Sequence, residues 1–165
     1  MAVPLGLLLG MVSGCGSHGS DHRDGGNQGS ACALIGGGRV TDSSTVGEID
    51  YRVLGGFSGT GAGTSLQIKP DGTLTRTTQQ RGTEQGQLDQ ATLDDLAGKA
   101  RTAQFPTLCA IYPCTSCGDD YVYDVSAQID ETTYTVLASS FAPPLPARLE
   151  TLIEALQALV TRPLS

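Results

Sequence analysis

The feature that most restricts the fold is a stretch between positions 121 and 129 in which apolar residues recur at every second position. Its apolar positions are Tyr121, Tyr123, Val125, Ala127 and Ile129. A period of two predicts a β-strand with one buried face. Residues 132–138 return after Asp130 and Glu131, so the two strands are expected to form a hairpin. A sheet with one apolar face needs a second layer to cover it.

Two helical patterns supply that layer. After a proline-rich opening at residues 143–146, apolar residues recur at helical spacing and form one wide stripe. The stripe consists of Leu149, Leu152, Ile153, Leu156, Leu159 and Val160. Another helix is predicted after Asp89, a residue type that caps helix N-termini. Its apolar positions are Leu93, Leu96, Ala97 and Ala100.

Three more strands are predicted before the first helix. Their apolar positions are Ile49, Tyr51 and Val53 in the first strand and Leu66 and Ile68 in the second. A turn at residues 70–72 leads to a third strand over residues 74–79. The order of elements is therefore βββαββα. This order predicts an α+β fold, in which an antiparallel sheet of about five strands carries both helices on one face and leaves the other in solvent.

The N-terminal segment has the pattern of a bacterial lipoprotein signal peptide. An uncharged apolar run at residues 5–12 is followed by Ser13, Gly14 and Cys15. The run is too short to span a bilayer, which takes about 20 residues, but it suits the apolar part of a signal peptide. Residues 12–15 match the lipobox, whose cysteine receives the lipid. We therefore expect cleavage after residue 14 and lipidation of Cys15.

This segment departs from the usual pattern because no Lys or Arg precedes the apolar run. A start further upstream would explain the missing charge, and an ordinary N-terminal segment with an ordinary cysteine is the alternative. Residues 16–47 are mostly Gly, Ser and polar residues, which favours a flexible tether. The predicted division is a signal peptide at 1–14, a lipidated cysteine and tether at 15–47, and one α+β domain at 48–165.

The net charge of the chain limits the kinds of partner that it is expected to bind. The formal net charge is −7, from 17 acidic and 10 basic residues among 165. An acidic chain lacks the positive charge that nucleic acids and anionic membrane surfaces attract, so no nucleic-acid partner is expected. Attachment to a membrane is expected through the lipid on Cys15 alone. The predicted location is the cell envelope, and Gly16 favours the outer membrane because the aspartate that commonly retains lipoproteins at the inner membrane is missing.

Four cysteines remain besides Cys15, and an exported chain is expected to oxidise them. They are Cys32, Cys109, Cys114 and Cys117. Four cysteines allow three pairings, and sequence cannot separate these. We favour one bridge within residues 109–117 and another that ties Cys32 to this loop. A zinc site made by the same four thiolates is the alternative, but thiolates seldom persist outside the cytosol, so no metal is predicted.

The domain lacks the residues that common catalytic sites require. Both histidines of the chain, His18 and His22, lie in the predicted tether, so no histidine base is available to a serine or cysteine nucleophile in the domain. Asp119 and Asp120 are read as a solvated loop rather than as a calcium or glycosidase site. The chain is therefore predicted not to be an enzyme and to need no cofactor.

Several motifs resemble the emfourins, small bacterial protein inhibitors of thermolysin-like metallopeptidases. Tyr51 leads into the segment at residues 55–59, and residues 66–72 end in Pro-Asp-Gly. The leucine-patterned helix that follows Asp89, the later strands and the terminal helix continue the likeness over roughly residues 48–160. The resemblance implies a sheet-and-helix domain that inhibits a secreted or periplasmic metallopeptidase without catalysis of its own.

Two short segments are the candidates for target binding. The resemblance implies the first, which consists of Gly55, Gly56, Phe57, Ser58 and Gly59. Phe57 is the candidate anchor, since aromatic residues dominate interface hot spots, and a place in the core is the other reading of this residue. Ile111 and Tyr112, within the cysteine loop, form the second candidate. A structural or ligand-binding envelope lipoprotein is the alternative function.

Overall fold

A computed structural model describes residues 32–55, 63–114, 120–142 and 144–164. In this part of the chain, seven strands form one mixed sheet and two α-helices accompany it. The strands are β1 (Val46–Gly55), β2 (Thr64–Ile68), β3 (Thr73–Thr78), β4 (Gly82–Gln87), β5 (Ile111–Tyr112), β6 (Tyr121–Ile129) and β7 (Thr132–Ser139). The helices are α1 (Gln90–Ala103) and α2 (Ala147–Thr161), and a 3-10 turn at Phe105–Thr107 follows α1.

The α+β class is confirmed, but the prediction of about five antiparallel strands is wrong in two respects. The sheet order is β4-β3-β2-β1-β6-β7-β5, and β5 runs parallel to β7. β4 has no apolar alternation in its sequence, because it is an edge strand whose side chains are mostly exposed. β5 is only two residues long, too short for a periodic pattern.

The central strand β1 shows why the sheet has one buried and one polar face. Tyr51 lies opposite Leu66 of β2 and Val125 of β6, and all three side chains are buried. The next row of the sheet places Asp50 beside Gln67 and Ser126 on the other face. The buried residues of α1 and α2 belong to the same core as the apolar face, so both helices cover that face. We call the uncovered side of the sheet the open face.

The folded part begins before the predicted boundary at residue 48. β1 begins at Val46, and Val40 is buried in the domain core. The Gln104 side-chain amide forms two hydrogen bonds with the Val40 backbone. It accepts from the Val40 N–H at 3.2 Å and donates to the Val40 carbonyl at 2.7 Å. The tether prediction is therefore wrong for residues 32–47, because backbone pairing and one apolar anchor dock this mostly polar segment. Residues 1–31, with Cys15, lie outside the described residues.

Candidate functional site

Four strand termini meet at one end of the sheet. β1 ends at Gly55, which pairs with Tyr121 at the start of β6, and β7 ends at Ser139 beside Val122. β2 begins at the same end with Thr64, which pairs with Val53. We call this region, defined by Gly55, Thr64, Tyr121 and Ser139, the loop end. Chain segments that connect these strands therefore enter and leave the sheet together.

Gly55, the first residue of the predicted target-binding segment, has a structural reason to be glycine. Its φ is +83°, which side chains rarely adopt, and a Cβ here would lie 2.8 Å from the Asp120 carbonyl oxygen. The glycine therefore allows β1 and the residue before β6 to approach closely. The remainder of the segment, residues 56–59 with the candidate anchor Phe57, lies outside the described residues.

Asp120 holds the loop end together. Its carboxylate accepts hydrogen bonds from the hydroxyls of Ser139 and Ser140, each at 2.6 Å, and from the Ser140 N–H at 3.1 Å. The hydrogen bonds from Ser139 and Ser140 lower the pKa of Asp120. Asp120 is therefore a fixed connection between β6 and β7 in the loop that precedes β6. Asp119, which the sequence analysis grouped with Asp120, lies outside the described residues.

The second candidate pair is divided between the two faces of the sheet. Ile111 lies opposite Leu137 of β7, so its side chain is on the open face, where it is 60% exposed. Tyr112 lies opposite Ala138 and packs against the core, and its hydroxyl accepts a hydrogen bond from the Cys109 N–H at 3.2 Å. Ile111 is therefore available to a partner, while Tyr112 has a structural role.

Apolar side chains extend from Ile111 across the open face to the loop end. Leu54 is 45% exposed and pairs with Val122 of β6, and Leu137 lies between β6 and Ile111. Four neighbouring strands, β1, β6, β7 and β5, thus each contribute one residue. We call Leu54, Val122, Leu137 and Ile111 the apolar corner. It borders Gly55, so it brings parts of both predicted target-binding segments to one surface.

Sequence reasoning missed three members of the apolar corner, although a signal was present. Leu54, Val122 and Leu137 stand at positions where the alternation of their strands predicts polar side chains. An apolar residue on the solvent side of a strand is unremarkable when it is isolated. These three become a patch only when the strand order is known, and sequence did not supply the strand order.

One disulfide bridge ties the N-terminal segment to the loop before β5. Cys32 is bonded to Cys109, with a Cα–Cα distance of 5.1 Å. The predicted bridge from Cys32 to the cysteine loop is confirmed. Cys114 is also disulfide-bonded, whereas Cys117 lies outside the described residues. Because Leu34 pairs with Cys109 in a short antiparallel bridge, the disulfide reinforces backbone pairing that is already present.

The described residues contain no group of three or more His, Cys, Asp and Glu side chains that could hold a metal ion. The two histidines lie outside this part of the chain. Within the same part, no helix is long and apolar enough to cross a membrane.

Comparison with protein-family models, curated proteins and solved structures finds no significant match to this chain. The geometry of the apolar corner and the loop end therefore carries the functional argument.

Proposed function

We propose that the chain is a lipid-anchored protein of the bacterial cell envelope whose domain binds another protein and inhibits a thermolysin-like metallopeptidase. In this proposal Cys15 carries the lipid, and the domain inhibits by binding the peptidase rather than by catalysis. The resemblance of residues 48–160 to the emfourins supports the class of target.

One observation carries the proposal. Gly55 and Ile111, chosen from separate parts of the sequence, lie at either end of the apolar corner. Leu54 is 45% exposed and Ile111 60% exposed, although most large apolar residues of the described chain are covered. Exposed apolar residues grouped on neighbouring strands are typical of protein interaction sites.

The sheet also provides a rigid base for this surface. The corner lies on paired strands, and the Asp120 hydrogen bonds fix the adjacent loop end. A surface that is ordered before binding loses little conformational entropy when a partner docks, which is the requirement for a tight inhibitor.

The test is an inhibition assay with the oxidised full chain carrying Cys15→Ser. We expect micromolar protein to slow a thermolysin-like protease, and we expect the pair Leu54→Asp and Ile111→Asp to weaken inhibition at least tenfold. The physical reason is that two carboxylates would have to be desolvated in the interface.

Gln85→Asp is the matched control, because it adds a carboxylate to the same face at the opposite edge of the sheet. This variant should inhibit like the parent chain. Lack of inhibition of any thermolysin-like protease by the parent would contradict the proposed target class. Equal loss in the control and the corner variants would contradict the proposed surface.

A further inference from the structure

The two edges of the sheet are built differently. β5, at one edge, is two residues long, and such a short strand offers little backbone to a further strand. β4, at the other edge, has six residues, and all of them pair with β3 in one continuous register. In the described part of the chain, no strand lies on the outer side of β4. One edge is therefore protected by its shortness, and the other is open.

β4 also lacks the features with which edge strands usually avoid pairing. It contains no Lys, no Pro and no bulge. Its one charged residue, Glu84, is bound by Arg76 at 2.7 Å. The side chains that β4 places on the open face are uncharged, and they belong to Thr83, Gln85 and Gln87. Another strand can therefore approach this edge without burying an unpaired charge.

The register of β4 shows which of its backbone groups face outward. The Leu88 N–H donates to the Gly72 carbonyl at 2.9 Å, and this pair continues the register between β4 and β3. Backbone groups alternate in direction along an antiparallel strand, so those of every second residue before Leu88 also point to β3. The N–H and carbonyl groups of the intervening residues therefore point away from the sheet. These residues are Thr83, Gln85 and Gln87.

The sequence of β4 suits pairing with a second copy of itself. Two copies related by a two-fold axis perpendicular to the sheet would pair antiparallel. When the axis passes through Gln85, this residue lies opposite its own counterpart and Thr83 lies opposite Gln87, so all outward-facing backbone groups exchange hydrogen bonds. Glu84 then lies opposite Gly86, and no like charges meet. An axis through Glu84 would instead oppose two carboxylates in a pair whose Cα atoms are about 4.5 Å apart, which is destabilising.

We infer that β4 binds β4 of a second copy in this register, so that two sheets join into one continuous sheet across a two-fold axis. The contact is made mainly by backbone groups and polar side chains, so the dimer is weak and reversible. It lies at the edge of the sheet opposite Ile111, and it does not depend on the inhibitory function.

The first test is sedimentation velocity of the full chain carrying Cys15→Ser, from micromolar to near-millimolar concentration. The buffer has physiological ionic strength, which screens the like net charges of the two copies beyond about 8 Å. We expect a reversible equilibrium between monomer and dimer. Amide hydrogen exchange followed by NMR locates the contact. Exchange at Thr83 and Gln85 should slow as the concentration rises, whereas Glu84, whose N–H points to β3, should be protected at every concentration.

Variants at position 85 test the register, because Gln85 is exposed and its N–H points away from β3. Gln85→Pro removes this N–H and should weaken the dimer at least tenfold. Gln85→Thr, which keeps the N–H, is the matched control and should dimerise like the parent. Gln85→Asp and Gln85→Lys should each dimerise at least tenfold more weakly alone, but they should pair with each other because opposite charges then meet at the axis. Circular dichroism reports whether each variant is folded.

Three results would contradict the inference. A parent chain that stays monomeric over the whole concentration range would overturn the dimer. A dimer that folded Gln85→Pro leaves intact, and that Leu54→Asp with Ile111→Asp breaks, would place the contact on the apolar corner instead of β4. Failure of the folded Gln85→Asp and Gln85→Lys chains to pair with each other would overturn the register centred on Gln85.

Discussion

Arg76 on β3 is 1% exposed, yet each of the three nitrogens of its guanidinium group donates a hydrogen bond. Nη2 and Nε donate to Glu84 at 2.7 and 3.1 Å. Nη1 donates to the backbone carbonyls of Leu159, Val160 and Arg162 at 3.0, 2.9 and 2.6 Å. The last turn of α2 has no basic residue of its own. Arg76 therefore supplies the positive charge that a helix C-terminus favours and fixes α2 to the sheet.

Replacing Arg76 should destabilise the domain strongly. We expect Arg76→Ala to lower the free energy of unfolding by about 3–5 kcal/mol, because buried carbonyls lose their donor and a cavity forms. Urea unfolding followed by circular dichroism measures this loss. Glu84→Gln is the matched comparison. It should lower the free energy of unfolding by about 1 kcal/mol or less, because the Glu84 side chain is 35% exposed and the amide oxygen of the glutamine can still accept from Arg76. A loss for Glu84→Gln as large as that for Arg76→Ala would show that the ion pair, not the helix contact, is the stabilising part.

At the scale of elements, the sequence predicted strands and helices where burial imposes a period. β6 and α2 match their patterns, since each has one face in the core. β4 was missed because an exposed edge strand is held by backbone hydrogen bonds, which leave no apolar pattern. The docking of residues 32–47 was missed for a related reason, because Val40 is its one buried apolar residue and much of its pairing with the domain uses backbone atoms.

The end of α1 connects this N-terminal segment to the core. Gln104 follows the helix with φ +54° and ψ +51°, a conformation in which glycine is usual. Its backbone N–H bonds to the Arg101 carbonyl, and its side-chain amide binds both polar groups of the Val40 backbone. The hydrogen bonds of the Gln104 side chain to Val40 thus offset the strain of the left-handed backbone at Gln104.

Gln104→Gly should separate these two effects. Glycine relieves the left-handed backbone but removes both bonds to Val40, so we expect little change in global stability and faster hydrogen exchange in residues 34–41. Exchange measured by mass spectrometry tests this expectation. Gln104→Asn, which tolerates the same backbone but has a shorter amide, should give similarly fast exchange. Unchanged exchange in both variants would mean that the disulfide and the backbone pairing dock the segment without the Gln104 side chain.

At the scale of the whole molecule, the Cys32–Cys109 bridge links positions 77 residues apart. It joins the first described residue to the loop that leads into β5, at the edge of the sheet next to β7. If a lipid holds Cys15, any pull on the chain reaches the domain at Cys32 and is transferred through the disulfide to Cys109. The bridge would then protect the pairing of residues 34–36 with residues 106–109 from being peeled away.

Removing this bridge should affect the whole domain as well as the docked segment. The entropy of the unfolded chain implies that a closed loop of this length stabilises the folded state by about 4.5 kcal/mol, and measured values of about 2–4 kcal/mol are common. We expect Cys32→Ser with Cys109→Ser to lower the urea midpoint accordingly and to release residues 34–41 to exchange. Combining this pair with Gln104→Gly should add little further exchange at the segment, because either change alone undocks it. If the effects of the two changes on hydrogen exchange add fully, the disulfide and the Gln104 amide hold different parts of residues 32–47 independently.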